Sequence, residues 1–272
     1  MLSSVDLAHF AAFGFVVLRQ AVDPRALADE LDRALADGCR GDFAGAAARV
    51  SGRYVPMMCE RTPVSLALLD HFMAPAAELL GRPVLPLRAK GVLYFGAAAW
   101  HRDSERPVAS VGFAAYLEPL RADTGALRVL PGSHRPAYGA AVRGFLDAHP
   151  ELATTALPGV ALATEPGDVI AFAEPLFHAT VGGRDRRQWR VDYFEDPADL
   201  AAEADVRAYV ADTFPPDWDG GHDVDRYPTY GPYFLRRAGG RPWLARIAAL
   251  GLLDAATAQE TFVRSQTASR RP

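Results

Sequence analysis

The hydrophobic and polar positions of this chain predict helices at the start and many short strands further on. Residues 5–12 read as a short helix that ends at Gly14, and the apolar run at 15–18 predicts a buried strand. A second helix is predicted to begin at Asp23-Pro24, with Asp23 as the N-cap and proline in the first turn. Its leucines recur every fourth residue, as on the buried face of an amphipathic helix.

The middle of the chain has a different pattern. Residues 41–62 are small, polar and irregular, and residues 63–80 have the spacing of another helix. Strands separated by turn residues are then predicted near 83–96, 107–118, 126–130, 159–163, 168–173, 178–181 and 187–195. Many short strands with regular turns predict a mainly β fold with flanking helices, of the sandwich or jelly-roll type.

The last quarter of the chain does not continue the strand pattern. Residues 196–242 are rich in Asp, Pro, Tyr, Trp and Gly, and we predict that they form a lid or insertion with aromatic anchors such as Trp218. Residues 243–263 return to a helical pattern, and 264–272 are predicted to be a flexible tail. Since no repeat or linker divides the chain, residues 1–272 are predicted to form a single domain.

Composition narrows the function classes. The net charge is −4, with no basic or acidic block, so nothing indicates a nucleic-acid partner. Cys39 and Cys59 are the only cysteines, which favours a reducing, cytoplasmic setting over a disulfide framework. No signal-peptide pattern or long apolar run is recognised, so a membrane partner is not expected. A small-molecule substrate is the favoured partner, and the sequence does not indicate an oligomeric state.

The strongest chemical signal is Trp100-His101-Arg102-Asp103. On an extended segment, residues two apart point the same way, so His101 and Asp103 can reach one metal ion. His178, at the start of a predicted strand, is the candidate third ligand. Two histidines and one carboxylate leave three open positions on a metal, which suits iron(II). A His-x-Asp pair also occurs by chance, so the surrounding motifs decide its significance.

Those motifs resemble the phytanoyl-CoA dioxygenase family over roughly residues 7–195. Trp100-His101-Arg102-Asp103 resembles the family's Trp-His-x-Asp, residues 124–134 (TGALRVLPGSH) resemble its Gly-x-Leu-x-x-x-Pro-Gly-Ser-His segment, and Gly167-Asp168-Val169 followed by His178 resembles the turn and strand of the distal histidine. The resemblance implies a double-stranded β-helix, a cupin-like jelly roll. It also implies iron(II), with 2-oxoglutarate and O₂ as co-substrates.

The resemblance further implies an arginine on the strand after the distal histidine, which would bind the far carboxylate of 2-oxoglutarate. Arg187 and Arg190 are the candidates. Arg187 is preferred because it shares a face with apolar residues that read as inward, whereas Arg190 shares a face with Asp192, which reads as solvent-facing. Arg184 and Arg186 are interpreted as solvated.

Three further residues are candidates for co-substrate binding. Lys90 is the single lysine of the chain, and it shares a predicted strand face with Arg88. Either cation could contact 2-oxoglutarate or an anionic substrate, or simply reach solvent. Thr124 could supply a hydroxyl, although an ordinary turn position is the better explanation.

The function expected from these residues is a non-haem iron(II)/2-oxoglutarate-dependent dioxygenase, a hydroxylase of a metabolic or biosynthetic small molecule. Related halogenases replace the carboxylate ligand by a small residue, so Asp103 favours hydroxylation or another oxidation. Two alternatives stay open at this point. One is a cupin-like metalloenzyme that does not use 2-oxoglutarate, and the other is a non-catalytic β-sandwich that binds a ligand.

Overall fold

Two antiparallel sheets form the framework of the protein. The computed structural model describes residues 2–45 and 50–269. The larger sheet has the strand order β1-β9-β6-β11-β4-β3-β2, and the smaller sheet has the order β5-β10-β7-β8. The strands are β1 (Phe15–Leu18), β2 (Phe43–Gly45), β3 (Val50–Pro56), β4 (Val84–Tyr94), β5 (Ala98–His101), β6 (Ser110–Tyr116), β7 (Thr124–Val129), β8 (Val160–Leu162), β9 (Val169–Ala173), β10 (His178–Gly182) and β11 (Arg186–Glu195).

The two sheets face each other across a jelly roll, which confirms the predicted double-stranded β-helix. Apolar side chains from both sheets fill part of the interior, among them Phe172 of β9 and Leu127 of β7. The chain crosses from the small sheet to the large one at the β10–β11 connection, 183–185. One end of the interior therefore lies beside both of these strands.

Helices flank both sheets. They are α1 (Ser4–Phe13), α2 (Pro24–Gly38), α3 (Pro63–Leu80), α4 (Pro136–Ala148), α5 (Leu200–Thr213), α6 (Pro232–Ala238), α7 (Pro242–Ala249) and α8 (Leu252–Ser269). Asp23 accepts hydrogen bonds from the first backbone amides of α2, as the N-cap prediction requires. The apolar faces of α2 and α3 pack on β11 and β4 and form the main hydrophobic core. No helix in the described ranges is long and apolar enough to span a membrane.

Three sequence expectations need correction. The segment 41–62 is not irregular, since β2 and β3 lie in it and β3 pairs with β4; residues 46–49 lie outside the described part. The expected tail is helical as far as Ser269, while 270–272 are not described. The helix α4, between β7 and β8, was not anticipated.

Candidate active site

Strand pairing brings the predicted metal ligands together. His178 at the start of β10 is the direct cross-strand partner of His101 at the end of β5, and their ring centroids are 4.2 Å apart. Asp103 lies two residues after His101. Its Oδ1 is 3.7 Å from His101 Nε2 and 3.5 Å from His178 Nε2. One candidate ligand atom from each residue lies within 4.8 Å of the others. These atoms can converge on one ion, which leaves the remaining positions on one face of the metal for other ligands.

Backbone carbonyls set the tautomers of the two histidines. Nδ1 of His101 donates to the Ala99 carbonyl at 2.8 Å, and Nδ1 of His178 donates to the Leu176 carbonyl at 2.9 Å. The Nε2 lone pairs are then directed to the site, as in metal-binding histidines whose other nitrogen is held by a second group. Burial, together with the nearby His178, lowers the pKa of His101 to about 4, so this imidazole is neutral and able to bind a metal.

Arg190 holds the other oxygen of the carboxylate ligand. Its Nη1 donates to Asp103 Oδ2 at 2.6 Å, while Nε donates to Asp192 Oδ1 at 2.5 Å and Nη2 donates to Glu174 Oε1 at 3.1 Å. Burial raises the pKa of Asp103, but the charge of Arg190 outweighs it and holds the pKa well below its usual value. Asp103 is therefore ionised, with Oδ1 free to bind a metal.

A cavity of about 340 Å³ opens beside the triad. It runs between the two sheets and is lined by the three candidate ligands and by side chains from β4, β10 and β11. Arg186, Arg190, Arg88 and Lys90 all line it, but Arg187 and Thr124 do not. The structure thus brings together most, and not all, of the residues that the sequence singled out.

The two faces of β11 explain why Arg187, the arginine preferred from the sequence, does not line the cavity. Trp189, Val191 and Tyr193 are fully buried, but they face the helices, where Trp189 Nε1 donates to Ser65 at 2.8 Å. Arg187 shares that helix-side face, and at its edge it forms ion pairs with Glu118 and Asp32, at 2.6 and 2.7 Å. The face of β11 that the sequence predicts to point inward is therefore buried, but it packs against the helices and does not line the cavity.

The opposite face of β11 is polar and equally buried. Its residues Arg186, Gln188, Arg190 and Asp192 are each at most 6% exposed, so the expectations that Asp192 faces solvent and that Arg186 is solvated are wrong. Since Arg190 is engaged by three carboxylates, it has no free edge for a further one. Sequence reasoning missed Arg186, whose guanidinium lies in the cavity on the same face of β11 as Arg190.

Arg186 is positioned without a carboxylate partner among the described residues. It donates to the carbonyls of Gly125 (3.1 Å) and Gly96 (2.7 Å) and to the hydroxyl of Thr180 (3.2 Å), and its buried Nε has no partner in the part of the chain that the structure describes. A Cβ on Gly125 would lie 2.4 Å from Arg186 Cδ, so this glycine leaves the space that the arginine occupies. Two sequence signals point to it: polar residues at every second position of β11, and a hydroxyl residue two positions after His178.

The remaining candidates take different roles. The Thr124 hydroxyl accepts a hydrogen bond from the Arg121 amide at 2.8 Å, which makes it a turn residue, and Thr180 supplies the hydroxyl in the cavity instead. Lys90 donates to Asp192 at 2.8 Å, and burial lowers its pKa to about 8. Arg88 lines the cavity at the end of β4 away from Arg186.

Comparison with known proteins agrees with this geometry. The sequence model of the phytanoyl-CoA dioxygenase family, PhyH, matches residues 10–188, well over half of the chain. The chain belongs to the phytanoyl-CoA dioxygenase family. The resemblance inferred from the sequence motifs is thereby confirmed, with nearly the same limits. No curated protein was found to match the chain.

Solved structures show the same fold as this family member. SnoK, a non-heme α-ketoglutarate-dependent carbocyclase from nogalamycin biosynthesis, aligns with a TM-score of 0.59 at 19% identity and covers 72% of this chain and 85% of its own. HygX from Streptomyces hygroscopicus, solved with nickel and 2-oxoglutarate, gives 0.53 at 19% identity, with 72% and 88% covered. EctD from S. alaskensis, solved with iron, gives 0.52 at 20% identity, with 72% and 77% covered.

The residues of the site fit the cofactors of the phytanoyl-CoA dioxygenase family. Two imidazoles that present Nε2 and one ionised carboxylate are the donor set of a facial iron(II) site. A buried guanidinium with an unsatisfied Nε, on the wall of the same cavity, suits the carboxylate of a bound co-substrate. The expectation of iron(II) and 2-oxoglutarate therefore agrees with both the family and the site.

Proposed function

We propose that this protein is an iron(II)/2-oxoglutarate-dependent dioxygenase that hydroxylates a small organic molecule. One observation carries the proposal: the cavity holds a facial triad and, on its wall, a buried arginine that no carboxylate of the described residues neutralises. A metal site alone would serve a cupin-like enzyme equally well. The unneutralised Arg186 favours a co-substrate with its own carboxylate.

His101, Asp103 and His178 would hold iron(II) in this proposal. When bound, the iron with 2-oxoglutarate supplies the activation of O₂ for C–H oxidation, and 2-oxoglutarate is converted to succinate and CO₂. Arg190 keeps Asp103 ionised and oriented, so the site does not lose its negative ligand on burial.

Arg186 and Thr180 would bind the far carboxylate of 2-oxoglutarate. The guanidinium supplies the charge and the Thr180 hydroxyl a further donor. Tyr94 lies beside them, with its ring 5.4 Å from the guanidinium carbon, and burial raises its pKa, so its hydroxyl stays neutral. Apolar neighbours such as Phe172 and Leu127 exclude water from this end of the cavity.

Anaerobic binding of iron(II) and 2-oxoglutarate tests the proposal. Chelation of 2-oxoglutarate to iron(II) gives a weak charge-transfer band in the visible region, which we expect for the wild-type protein and not for His101→Ala or His178→Ala. We expect Arg186→Met to need a much higher 2-oxoglutarate concentration for the same band. Arg187→Met is the matched control, because the neighbouring arginine lies on the other face of the same strand.

The band in the two arginine variants decides which arginine binds 2-oxoglutarate. A band that weakens with Arg186→Met and persists with Arg187→Met supports Arg186 as the co-substrate ligand; the reverse result would return that role to Arg187. Folded, iron-loaded protein without any band would exclude 2-oxoglutarate and favour a cupin-like metalloenzyme.

A further inference from the structure

Basic side chains outnumber carboxylates on the wall of the cavity. Among the described residues that line it, five are basic and only Asp103 is acidic. The basic residues are Arg88, Lys90, Arg102, Arg186 and Arg190. Three of these five already have carboxylate partners, since Arg190 and Lys90 share Asp192, and Arg102 pairs with Glu105. Arg186 and Arg88 are the two for which the described residues supply no ion pair.

Arg88 forms no direct ion pair with the described residues, although Asp192 lies close enough to interact with its charge. Its guanidinium carbon lies 4.8 Å from the ring centroid of Phe214 and 5.6 Å from that of Tyr54. Its Nε and Nη1 are buried and have no hydrogen-bond partner within the described ranges. Two aromatic faces stabilise a cation only partly, and buried N–H groups without acceptors cost free energy. An arginine in this state favours a bound ligand with acceptor atoms that the described residues do not supply.

A second buried group near Arg88 also lacks partners. Both ring nitrogens of His222 are buried and unpaired among the residues that the structure describes, and the His222 ring packs edge-on to Tyr54 at 5.3 Å. Burial, with Arg88 as the next cause, lowers the pKa of His222 to about 3, so the imidazole is neutral and adds no competing charge. The unsatisfied polar atoms therefore cluster around Tyr54, at one end of the cavity.

The backbone positions of Arg88 and Arg186 lie well apart along the cavity. Arg186 pairs in the sheet with Tyr94 of β4, and Arg88 precedes Tyr94 by six residues on that strand. Six residues of β-strand span about 20 Å. A five-carbon diacid covers less than half of that length, and Arg190, which pairs with Lys90, lies between the two arginines along the strands. 2-Oxoglutarate bound at Arg186 would leave Arg88 free.

Aromatic side chains form the wall next to Arg88. Tyr54 and Trp218 pack edge to face with centroids 5.2 Å apart, and Phe43 lies 6.2 Å from Trp218; all three line the cavity. Such a wall binds an apolar or aromatic body, while the guanidinium binds an anionic end. The combination selects a molecule that has both.

We propose that Arg88 is the substrate-binding residue for an anionic group, and that the substrate is an organic acid with an apolar or aromatic body. The inference rests on the proposed dioxygenase function, because only then is Arg186 reserved for the co-substrate. The acid group would anchor the substrate at one end, with its body along Tyr54 and Trp218 and its reacting carbon towards the triad.

Calorimetric titration tests the anion site. The ligands are 3-phenylpropionate and its uncharged amide, added to anaerobic protein saturated with iron(II) and 2-oxoglutarate. We expect the acid to bind more tightly than the amide by on the order of tenfold or more, as for a charge-assisted hydrogen bond. Arg88→Met should remove this preference, Arg88→Lys should keep part of it, and Arg236→Met, a change at an exposed arginine, should leave it intact.

The visible band of iron-bound 2-oxoglutarate shows whether a failed result concerns the anion site or the proposed dioxygenase function. If the band is normal but the acid and amide bind equally, or neither binds at millimolar concentration, or Arg88→Met changes nothing, the anion site is wrong. If the band is absent but acid binding still depends on Arg88, the anion site stands and the dioxygenase proposal fails.

Thermal unfolding gives an independent readout: a ligand-binding Arg88 predicts an Arg88→Met melting temperature equal to or above that of the wild type, and a clear decrease would indicate a structural role instead.

Discussion

At the scale of single residues, Arg190 controls the charge of the metal site. It contacts three carboxylates, and Lys90 shares one of them, Asp192. Burial, reinforced by Asp192, raises the pKa of Glu174 to about 7, so this carboxyl carries less than a full charge at neutral pH. Only one carboxylate oxygen of the network, Asp103 Oδ1, is directed at the two imidazoles.

Replacing Arg190 by lysine should weaken iron binding more than it weakens the fold. Lysine keeps the positive charge, but it cannot bind three carboxylates in a fixed plane, so Asp103 loses its orientation. Loss of such a supporting contact lowers metal affinity by about 10- to 100-fold. Anaerobic iron(II) titration measures the change, and unchanged affinity in a folded variant would mean that Arg190 does not position the ligand.

At the scale of the elements, sequence periodicity predicts where the strands lie better than what their faces contact. The predicted strand 15–18 and helix 63–80 match β1 and α3, because one apolar face and clear end signals mark each of them. β3 was missed, because the glycine and arginine within it and the polar residues around it hide its pattern. On β11 both faces are buried, one against helices and one around the cavity, so apolar alternation could not identify the face that carries the site.

The same limit of sequence patterns explains why the triad could be predicted and the proposed co-substrate residue, Arg186, could not. His101 and Asp103 are two positions apart on one segment, so a local motif finds them. Arg186 depends on contacts with Gly96, Gly125 and Thr180, which come from three other segments of the chain. Its proposed role rests on these contacts of the folded structure, and the sequence signals in β10 and β11 are too general to assign it alone.

The connection from β10 to β11 and the start of β7 should act together on co-substrate affinity. Gly125 has φ +97°, and a Cβ there would collide with the Arg186 side chain, so Gly125→Ala is expected to displace the guanidinium. We expect 2-oxoglutarate affinity to fall by about tenfold or more, as for loss of a charge-assisted contact, with iron affinity unchanged. Gly144→Ala in α4, where a Cβ meets nothing within 4 Å, is the matched control. Equal effects of both changes on 2-oxoglutarate affinity would contradict the idea that Gly125 makes room for Arg186.

The junction between β1 and β9 should show a defined dependence on pH. Asp168 is 2% exposed and accepts hydrogen bonds from the side chain of Arg19 at 2.6 Å and from the amides of Gln20 and Glu165, both at 3.0 Å. Burial raises the pKa of Asp168, but these donors outweigh it and lower the pKa overall. Because the folded pKa lies below the unfolded one, this stabilisation is present above the unfolded pKa and is lost as pH falls through the folded pKa.

Asp168→Asn should therefore destabilise the protein at neutral pH by about 1–3 kcal/mol and by less in acid. Urea unfolding of the two proteins at neutral pH and near pH 3 measures both differences. A difference that is the same at both pH values would mean that the charge of Asp168 does not contribute.

At the scale of the whole molecule, segment 196–242 is built into the fold as well as into the cavity. Val206, Tyr209 and Val210 of α5 pack with Leu85 and Phe194 of the large sheet, and Tyr227 and Phe234 belong to the main core. Trp218 is the residue of this segment that lines the cavity. The lid hypothesis stays a prediction, and the structure narrows it to the neighbourhood of Trp218.

Deleting 196–242 should consequently abolish cooperative unfolding, whereas Trp218→Ala should leave the melting temperature within a few degrees of the wild type. The deletion exposes two hydrophobic clusters, while Trp218 is partly buried and packs against Phe43 and Tyr54. Differential scanning calorimetry compares the two variants. A deletion variant that unfolds cooperatively and binds iron(II) would restore the idea of a detachable lid.

The position of the single lysine has a practical consequence for chemical labelling. Lys90 lines the cavity, and with a pKa of about 8 a useful fraction of its amine is unprotonated near neutral pH. An amine-directed reagent small enough to enter would find one lysine in the entire chain, beside the site. The degree of modification of that lysine, read by mass spectrometry, would then report how fully the cavity is filled, without knowledge of the product of the reaction.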